Sequence, residues 1–395
     1  MEQIALSPYN QKIEAKDVIV YDSTLRDGEQ TPGIAFTREQ KIAIATKLDE
    51  MGVHQIEAGF PAVSELEQSI IKEICGLGLK ADILTLSRIV KSDIDSCVDA
   101  GVDMVLLFIA TSDIHLKYKF NKPRQFILDK VQEGLDYCRE RGVAASLSAE
   151  DSTRTDLDFL MQVYAKAEEC GAARLGMTDT VGCGTPEAID TMVRRAVREA
   201  HIPLSLHLHN DFGLALPNAI AGVKAGAVAF TTTVNGIGER AGNLPLEQFA
   251  PVMKYMYGVD LGIDCTQLKG ICELVSQATG MPMPRNQPLV GENVFSHESG
   301  IHVAAVLSCP LTYESLPPEY VGNRRHIVMG KHSGATYLKK RLEDLGMEAN
   351  EDELARILNK VKSLGEKKGR VSDAEFKTIA DEVLLRRRSI YEKVE

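Results

Sequence analysis

Between residue 17 and about residue 257, short apolar runs alternate with segments whose apolar positions recur at helical spacing. The runs are Val18–Tyr21, Gln55–Phe60, Ala81–Ser87, Asp103–Ile109, Ala144–Ser148, Arg174–Thr178, Leu204–His209 and Val228–Val234. The helical segments between them include Arg38–Met51, Ser64–Cys75, Gln125–Glu140, Asp156–Cys170 and Pro186–Ala200. Thr37, three residues before Gln40, predicts a capping box, and Thr185-Pro186 predicts a helix start. Strict β/α alternation predicts a parallel sheet. Eight repeats in roughly 240 residues predict a closed (β/α)8 TIM barrel. No G-x-G-x-x-G follows the first run, which argues against a dinucleotide-binding sheet.

The pattern changes after about residue 258. Residues 285–335, rich in Gly, Pro, Asn and His, read as an ordered loop-rich segment. From Thr336 onward the chain reads as helical, with segments Tyr337–Leu345, Glu351–Gly365 and Ser372–Tyr391. The expected organisation is a catalytic barrel over 1–260, a linker or lid subdomain over 261–335, which the family resemblance described below implies contributes to the neighbouring active site, and a small helical C-terminal subdomain over 336–395.

Composition narrows the class without changing this picture. The 395 residues are 44% hydrophobic and 26% charged, as in an ordinary globular protein. A net charge of −11 argues against nucleic-acid or anionic-membrane partners, and leaves room for a local basic pocket. The longest apolar stretches, such as Met104–Ala110, are strand-sized, so no membrane span is expected. The first sixteen residues have no apolar signal core. The eight scattered cysteines form no C-x-x-C pair and read as reduced thiols of a cytoplasmic protein.

A barrel enzyme gathers its chemistry at the C-terminal ends of its strands. The first run ends in D-S-T-L-R-D-G-E-Q, residues 22–30, and the seventh in H-L-H-N-D, residues 207–211. Histidines two apart on a strand point to the same face, so His207 and His209 enter the barrel mouth together. Asn243 follows the eighth run, and runs seven, eight and one are neighbours in a closed barrel. Asp27, His207, His209 and Asn243 can therefore meet around one divalent ion, such as Zn2+, Mn2+, Co2+ or Mg2+. Arg26, beside Asp27, is placed to stabilise a developing oxyanion. Past the fifth run, Asp151 or Ser152 reads as a helix N-cap, which frees Glu150 for acid–base work. Thr180 suits either a substrate carboxylate or a turn.

Together these pieces resemble the acyl-CoA-condensing branch of the metal-dependent barrels called DRE-TIM metallolyases, the homocitrate synthase and 2-isopropylmalate synthase family. The matching segments run across the chain: 22–33, E-A-G-F-P at 57–61, S-A-E-D at 148–151, T-D-T-V-G at 178–182, 207–215, N-G-I-G-E-R-A-G-N at 235–243, S-G-I-H at 299–302 and G-K-H-S-G at 330–334. The resemblance implies that Asp27, His207, His209 and Asn243 bind the metal and that Arg26 polarises the keto oxygen. It implies that Ser148 and Thr180 hold the carboxylate of a 2-oxo acid. Glu150 and His302 match an acid–base relay whose histidine comes from the neighbouring subunit of a homodimer. The implied reaction is a Claisen condensation of acetyl-CoA, the co-substrate, followed by thioester hydrolysis.

For the acceptor, the resemblance is closest to homocitrate synthases of the nitrogen-fixation and methanogen type, which use 2-oxoglutarate. Isopropylmalate synthases usually carry a further regulatory domain, which is not seen before Glu395. Ser146 stands where lysine-pathway relatives place an arginine for the distal carboxylate, and Ala304 stands where many relatives have Asp. The alternatives are oxaloacetate (an Re-type citrate synthase), pyruvate (citramalate synthase) and 2-oxoisovalerate. His115, Lys117 and Arg88 are further candidates for a distal carboxylate. A hydroxyacyl-CoA lyase and a non-catalytic metal-binding barrel are the readings from other classes.

Overall fold

A computed structural model describes residues 4–15 and 17–391. Eight strands, β1 (Ile19–Asp22), β2 (Gln55–Glu57), β3 (Asp82–Arg88), β4 (Met104–Ala110), β5 (Ala144–Glu150), β6 (Arg174–Asp179), β7 (Leu204–Leu208) and β8 (Ala229–Thr232), close into one parallel barrel. Closure runs through β1 and β8, where Asp22 is in register with Thr232. Every expected run yields a strand, with ends shifted by at most three residues. The second run loses its last three residues, Ala58–Phe60, which lead into the turn Pro61–Val63.

The connecting helices form for local reasons. Thr37 caps Arg38–Glu50 through the complete capping box with Gln40, and Thr185 caps Pro186–Glu199. Tyr21, Leu84, Leu106 and Ala229 pack together inside the barrel. Asp151 and Ser152 do not cap the next long helix; Asp156 does, accepting from Phe159 N–H. Asp151 has φ +64°, and its carboxylate is buried among side-chain donors, so it is unavailable to a helix end.

The barrel unit comprises Asn10–Met283 and includes the helix Leu268–Thr279. Among the described residues, 4–9 and 284–391 form the second unit. There the segment expected to be loop-rich holds a nine-residue helix, Gly300–Ser308, because V-A-A-V-L supplies a short apolar stripe that buries Val303 and Val306. The helices Ala335–Asp344, Glu351–Lys368 and Asp373–Tyr391 bury Leu338, Ile357, Val361 and Phe376 in a core of their own. No helix among the described residues is long and apolar enough to cross a membrane.

Candidate active site

The turn after β1 is wound tightly on Ser23, whose carbonyl accepts from Arg26 N–H at 3.1 Å and Gly28 N–H at 3.0 Å. This winding turns Arg26 and Asp27 toward the barrel axis. Arg26 grips Glu57, at the end of β2, with Nε to Oε1 at 2.7 Å and Nη2 to Oε2 at 3.0 Å. Its Nη1 donates to Oδ2 of Asp27 at 2.7 Å. Ser23 Oγ also donates to Glu57, at 2.5 Å. Glu57 is fully buried and was assigned no role from sequence, although it opens the segment E-A-G-F-P. A glutamate ending a strand otherwise inside the core was the available signal.

His207 and His209 project from the end of β7 with their Nε2 atoms 3.1 Å apart, and Nε2 of His207 lies 3.5 Å from Oδ2 of Asp27. Asp27, His207 and His209 each present one ligand atom, all within 4.8 Å of one another, and so form a group able to hold a metal ion. Asn243, fully buried, donates from Nδ2 to Oδ1 of Asp27 at 2.9 Å and to the Ile237 carbonyl at 3.2 Å. Its Oδ1 has no partner among the described residues, and a buried unpaired amide oxygen is costly unless something electropositive meets it.

The protonation states match that donor set. Burial, then the neighbouring His207, pushes His209 down to about 3, so its imidazole is neutral and its nitrogen free to bind. Burial alone would raise Asp27. The Arg26 guanidinium, with His207, outweighs it and holds the carboxyl well below the usual range. One carboxylate, two imidazoles and an amide oxygen suit a divalent cation of borderline hardness.

A cavity of about 230 Å3 opens above this group. Tyr21, Arg26, Asp27, Glu57, Ser148, Glu150, Thr178, Thr180, His207 and His209 are among its walls. The hydroxyl of Thr180 accepts from Asp151 N–H at 2.8 Å, which keeps its own proton available for a ligand. Both uses foreseen for Thr180, turn and substrate, are thus compatible. Arg240 joins the loops at the mouth, donating to Asp211 at 2.9 Å and to the Thr180 carbonyl at 2.5 Å.

Glu150 ends β5 and receives Lys119 Nζ on both oxygens, at 2.9 and 2.8 Å. His115 stands between two acids, its Nδ1 3.1 Å from Asp151 and its Nε2 3.6 Å from Glu150. Asp151 is further held by Ser112 at 2.5 Å and Arg154 at 2.8 Å. Of the other basic groups considered, Arg88 is paired with Asp93 at 2.6 Å and Lys117 sits over the Tyr118 ring at 4.9 Å. His302 belongs to the second unit, where it is exposed and its ring stacks on Tyr313 at 4.1 Å.

Comparison with known proteins adds an independent line. Residues 17–275 match the HMGL-like family model, and residues 289–369 match the model described as homocitrate synthase post-HMGL domain-like. The chain is 48% identical to the homocitrate synthase AksA of Methanocaldococcus jannaschii, over 97% of this chain and 95% of that one. It is 47% identical to a 2-isopropylmalate synthase of Sulfurisphaera tokodaii, over 94% of this chain and 97% of that one. A 2-isopropylmalate synthase can thus be little longer than the region it shares with this chain, so length does not separate the two activities. Among solved structures, an HMG-CoA lyase of Bacillus subtilis superposes with a TM-score of 0.62 at 17% identity, covering 69% of this chain and 97% of that one, a likeness of fold.

Proposed function

The chain belongs to the HMGL-like family, and on that premise we propose that it condenses acetyl-CoA with 2-oxoglutarate and hydrolyses the thioester, yielding homocitrate and CoA. The observation that carries this reading is one cavity into which a metal-binding group, a guanidinium and a carboxylate base all face. A divalent ion on Asp27, His207, His209 and Asn243 would supply Lewis-acid polarisation of the acceptor's keto group.

The chain's own residues account for the remaining requirements. Ser148 and Thr180 hold the acceptor's near carboxylate by hydroxyl donation. Arg26, aimed by Glu57, faces the oxygen that gains negative charge as the new carbon–carbon bond forms. Glu150 takes a proton from the acetyl methyl, with His302 of a partner subunit completing the relay. The carbanion then adds to the keto carbon, and water cleaves the thioester to release CoA. A thioester methyl is far too weakly acidic for an unassisted carboxylate, which is why the base must work beside an electrophilic centre that stabilises the charge.

The test is CoA release, followed with a thiol reagent in the presence of Mn2+ or Mg2+. The acceptor panel is 2-oxoglutarate, oxaloacetate, pyruvate and 2-oxoisovalerate. Preference for 2-oxoglutarate is expected. Preference for another member keeps the reaction and replaces the acceptor. No release with any of them rejects the reading.

A further inference from the structure

Arg174 opens β6 four residues after Cys170 and two before Gly176, on the strand face that carries Thr178 into the cavity. It is 4% exposed. Its Nη1 donates to Oε1 of Gln55 at 2.7 Å, and its guanidinium lies 5.0 Å from the centre of the Tyr21 ring, itself a cavity wall. Its Nε and Nη2 have no hydrogen-bond partner among the described residues. The nearby acids are committed elsewhere: Glu57 to Arg26 and Ser23, and Asp82 to the amide of Gln55 at 3.1 Å.

A buried guanidinium without an anion is among the costlier features a core can carry. The unpartnered pair of nitrogens is, moreover, the edge with which other arginines of this chain grip carboxylates. Arg325 holds Glu314 through Nε at 2.7 Å and Nη2 at 2.6 Å, and Arg38 holds Glu73 through Nε at 2.6 Å and Nη2 at 2.8 Å. That edge fits a planar carboxylate in bidentate fashion.

The residues beside it on the neighbouring strands are small. Arg174 is in register with Ser146 of β5, and Gly176 with Ser148 of β5 and Ser205 of β7. On β5, β6 and β7, nothing larger than serine stands between the Ser148 level and the guanidinium. A Cβ at position 176 would lie 2.5 Å from Oγ of Ser148, so glycine is what keeps this wall thin. Two residues of strand advance about 7 Å, on the order of the span of an extended five-carbon diacid.

We infer that Arg174 receives the far carboxylate of a 2-oxo dicarboxylic acceptor and thereby selects diacids over monoacids, in place of an arginine at position 146. The inference rests on the condensing activity and the diacid acceptor proposed above.

The experiment is steady-state CoA release by the full chain with Mn2+. It compares 2-oxoglutarate with 2-oxobutyrate for wild type, Arg174→Gln and Arg174→Lys, alongside calorimetric titration with 2-oxoglutarate. The expected result is a fall in the ratio of kcat/KM for 2-oxoglutarate over 2-oxobutyrate on the order of 100-fold in Arg174→Gln. A smaller fall is expected in Arg174→Lys, which keeps the charge and loses the bidentate edge. If Arg174→Gln does not fold by circular dichroism, Arg174→Lys carries the comparison. A wild type that uses 2-oxoglutarate, with a folded variant of unchanged ratio, overturns this inference alone. A wild type that prefers a monocarboxylic acceptor overturns both this inference and the acceptor proposed above.

Discussion

His207 and His209 point their Nε2 atoms at each other across 3.1 Å, with their rings 79° apart. A neutral imidazole offers one donor and one acceptor, so the pair shares at most one proton along that line. Asp27 at 3.5 Å from His207 and the unpaired oxygen of Asn243 complete a set that asks for a cation. The arrangement ties the barrel closure of β8 on β1 to chemistry, because it is closure that brings the turn after β1 beside the end of β7.

Removing one imidazole tests this directly. His209→Ala is expected to weaken Mn2+ binding at least about 100-fold and to abolish CoA release. The fold should survive, since the rest of the barrel core is untouched. A Mn2+ titration of the melting temperature, with circular dichroism as the control for folding, reads both effects. Undiminished stabilisation by Mn2+ together with normal activity would take His209 out of the metal group.

Gly238 supports the same group from behind. It has φ +153°, and a Cβ there would overlap the Asn243 amide and lie 2.7 Å from Oδ1 of Asp27. Gly238→Ala should therefore break the Asn243–Asp27 hydrogen bond and weaken metal binding about 10- to 100-fold, although residue 238 offers no ligand side chain. Equilibrium dialysis against Mn2+ measures it, and an affinity equal to wild type would mean that the amide is not a support.

Much of this site was readable in the sequence, and what was not has a common cause. The i, i+2 spacing of His207 and His209 fixes their shared face without any tertiary knowledge, and Asp27 followed once a closed barrel was accepted. The pairing of Glu57 with Arg26 was not readable, because the two are 31 residues apart and the contact depends on how β1 lies on β2. The same holds for Arg174 beside Ser146: the register of β6 on β5 decides it. Asp151 was misjudged as a cap because Ser112 and His115, which claim its carboxylate, come from the loop after β4. Local patterns reveal faces and ends, whereas side-chain partnerships across strands need the register.

Glu150→Gln keeps size and shape while removing the proposed base. Retained binding of Mn2+ and of 2-oxoglutarate is expected, with kcat lowered about 100- to 10,000-fold. Pre-steady-state CoA release with saturating substrates separates this from a binding defect. Unchanged turnover would mean that another group takes the methyl proton.

Asp22 makes a prediction about pH. Burial pushes its carboxyl from 3.8 up to about 6, against hydrogen bonds from Thr24 and Thr232. The folded state therefore binds the proton more tightly than the unfolded chain. The stability from that preference is complete below 3.8 and is lost as pH rises through about 6. Asp22→Asn, which cannot ionise, should gain on wild type by roughly 1.5 kcal/mol between pH 5 and pH 7.5. Urea unfolding of both proteins across that range reads the difference, and a constant gap would show that Asp22 is ionised throughout.

A site shared between subunits, as proposed, makes the sharpest demand. If Glu150 works with His302 of a partner subunit, Glu150→Gln and His302→Ala are each inactive alone and complement one another when mixed. In a mixed dimer one site carries both substitutions and the other carries neither. Random reassortment of equal amounts makes about half of the dimers mixed, so about a quarter of wild-type activity should return. Refolding the two variants together and assaying CoA release gives the answer. Recovery near that level supports the relay across the dimer. No recovery, with mixed dimers shown to form by affinity tagging one partner, would place Glu150 and His302 in the same chain's site, whereas a His302→Ala variant active on its own would remove His302 from the chemistry.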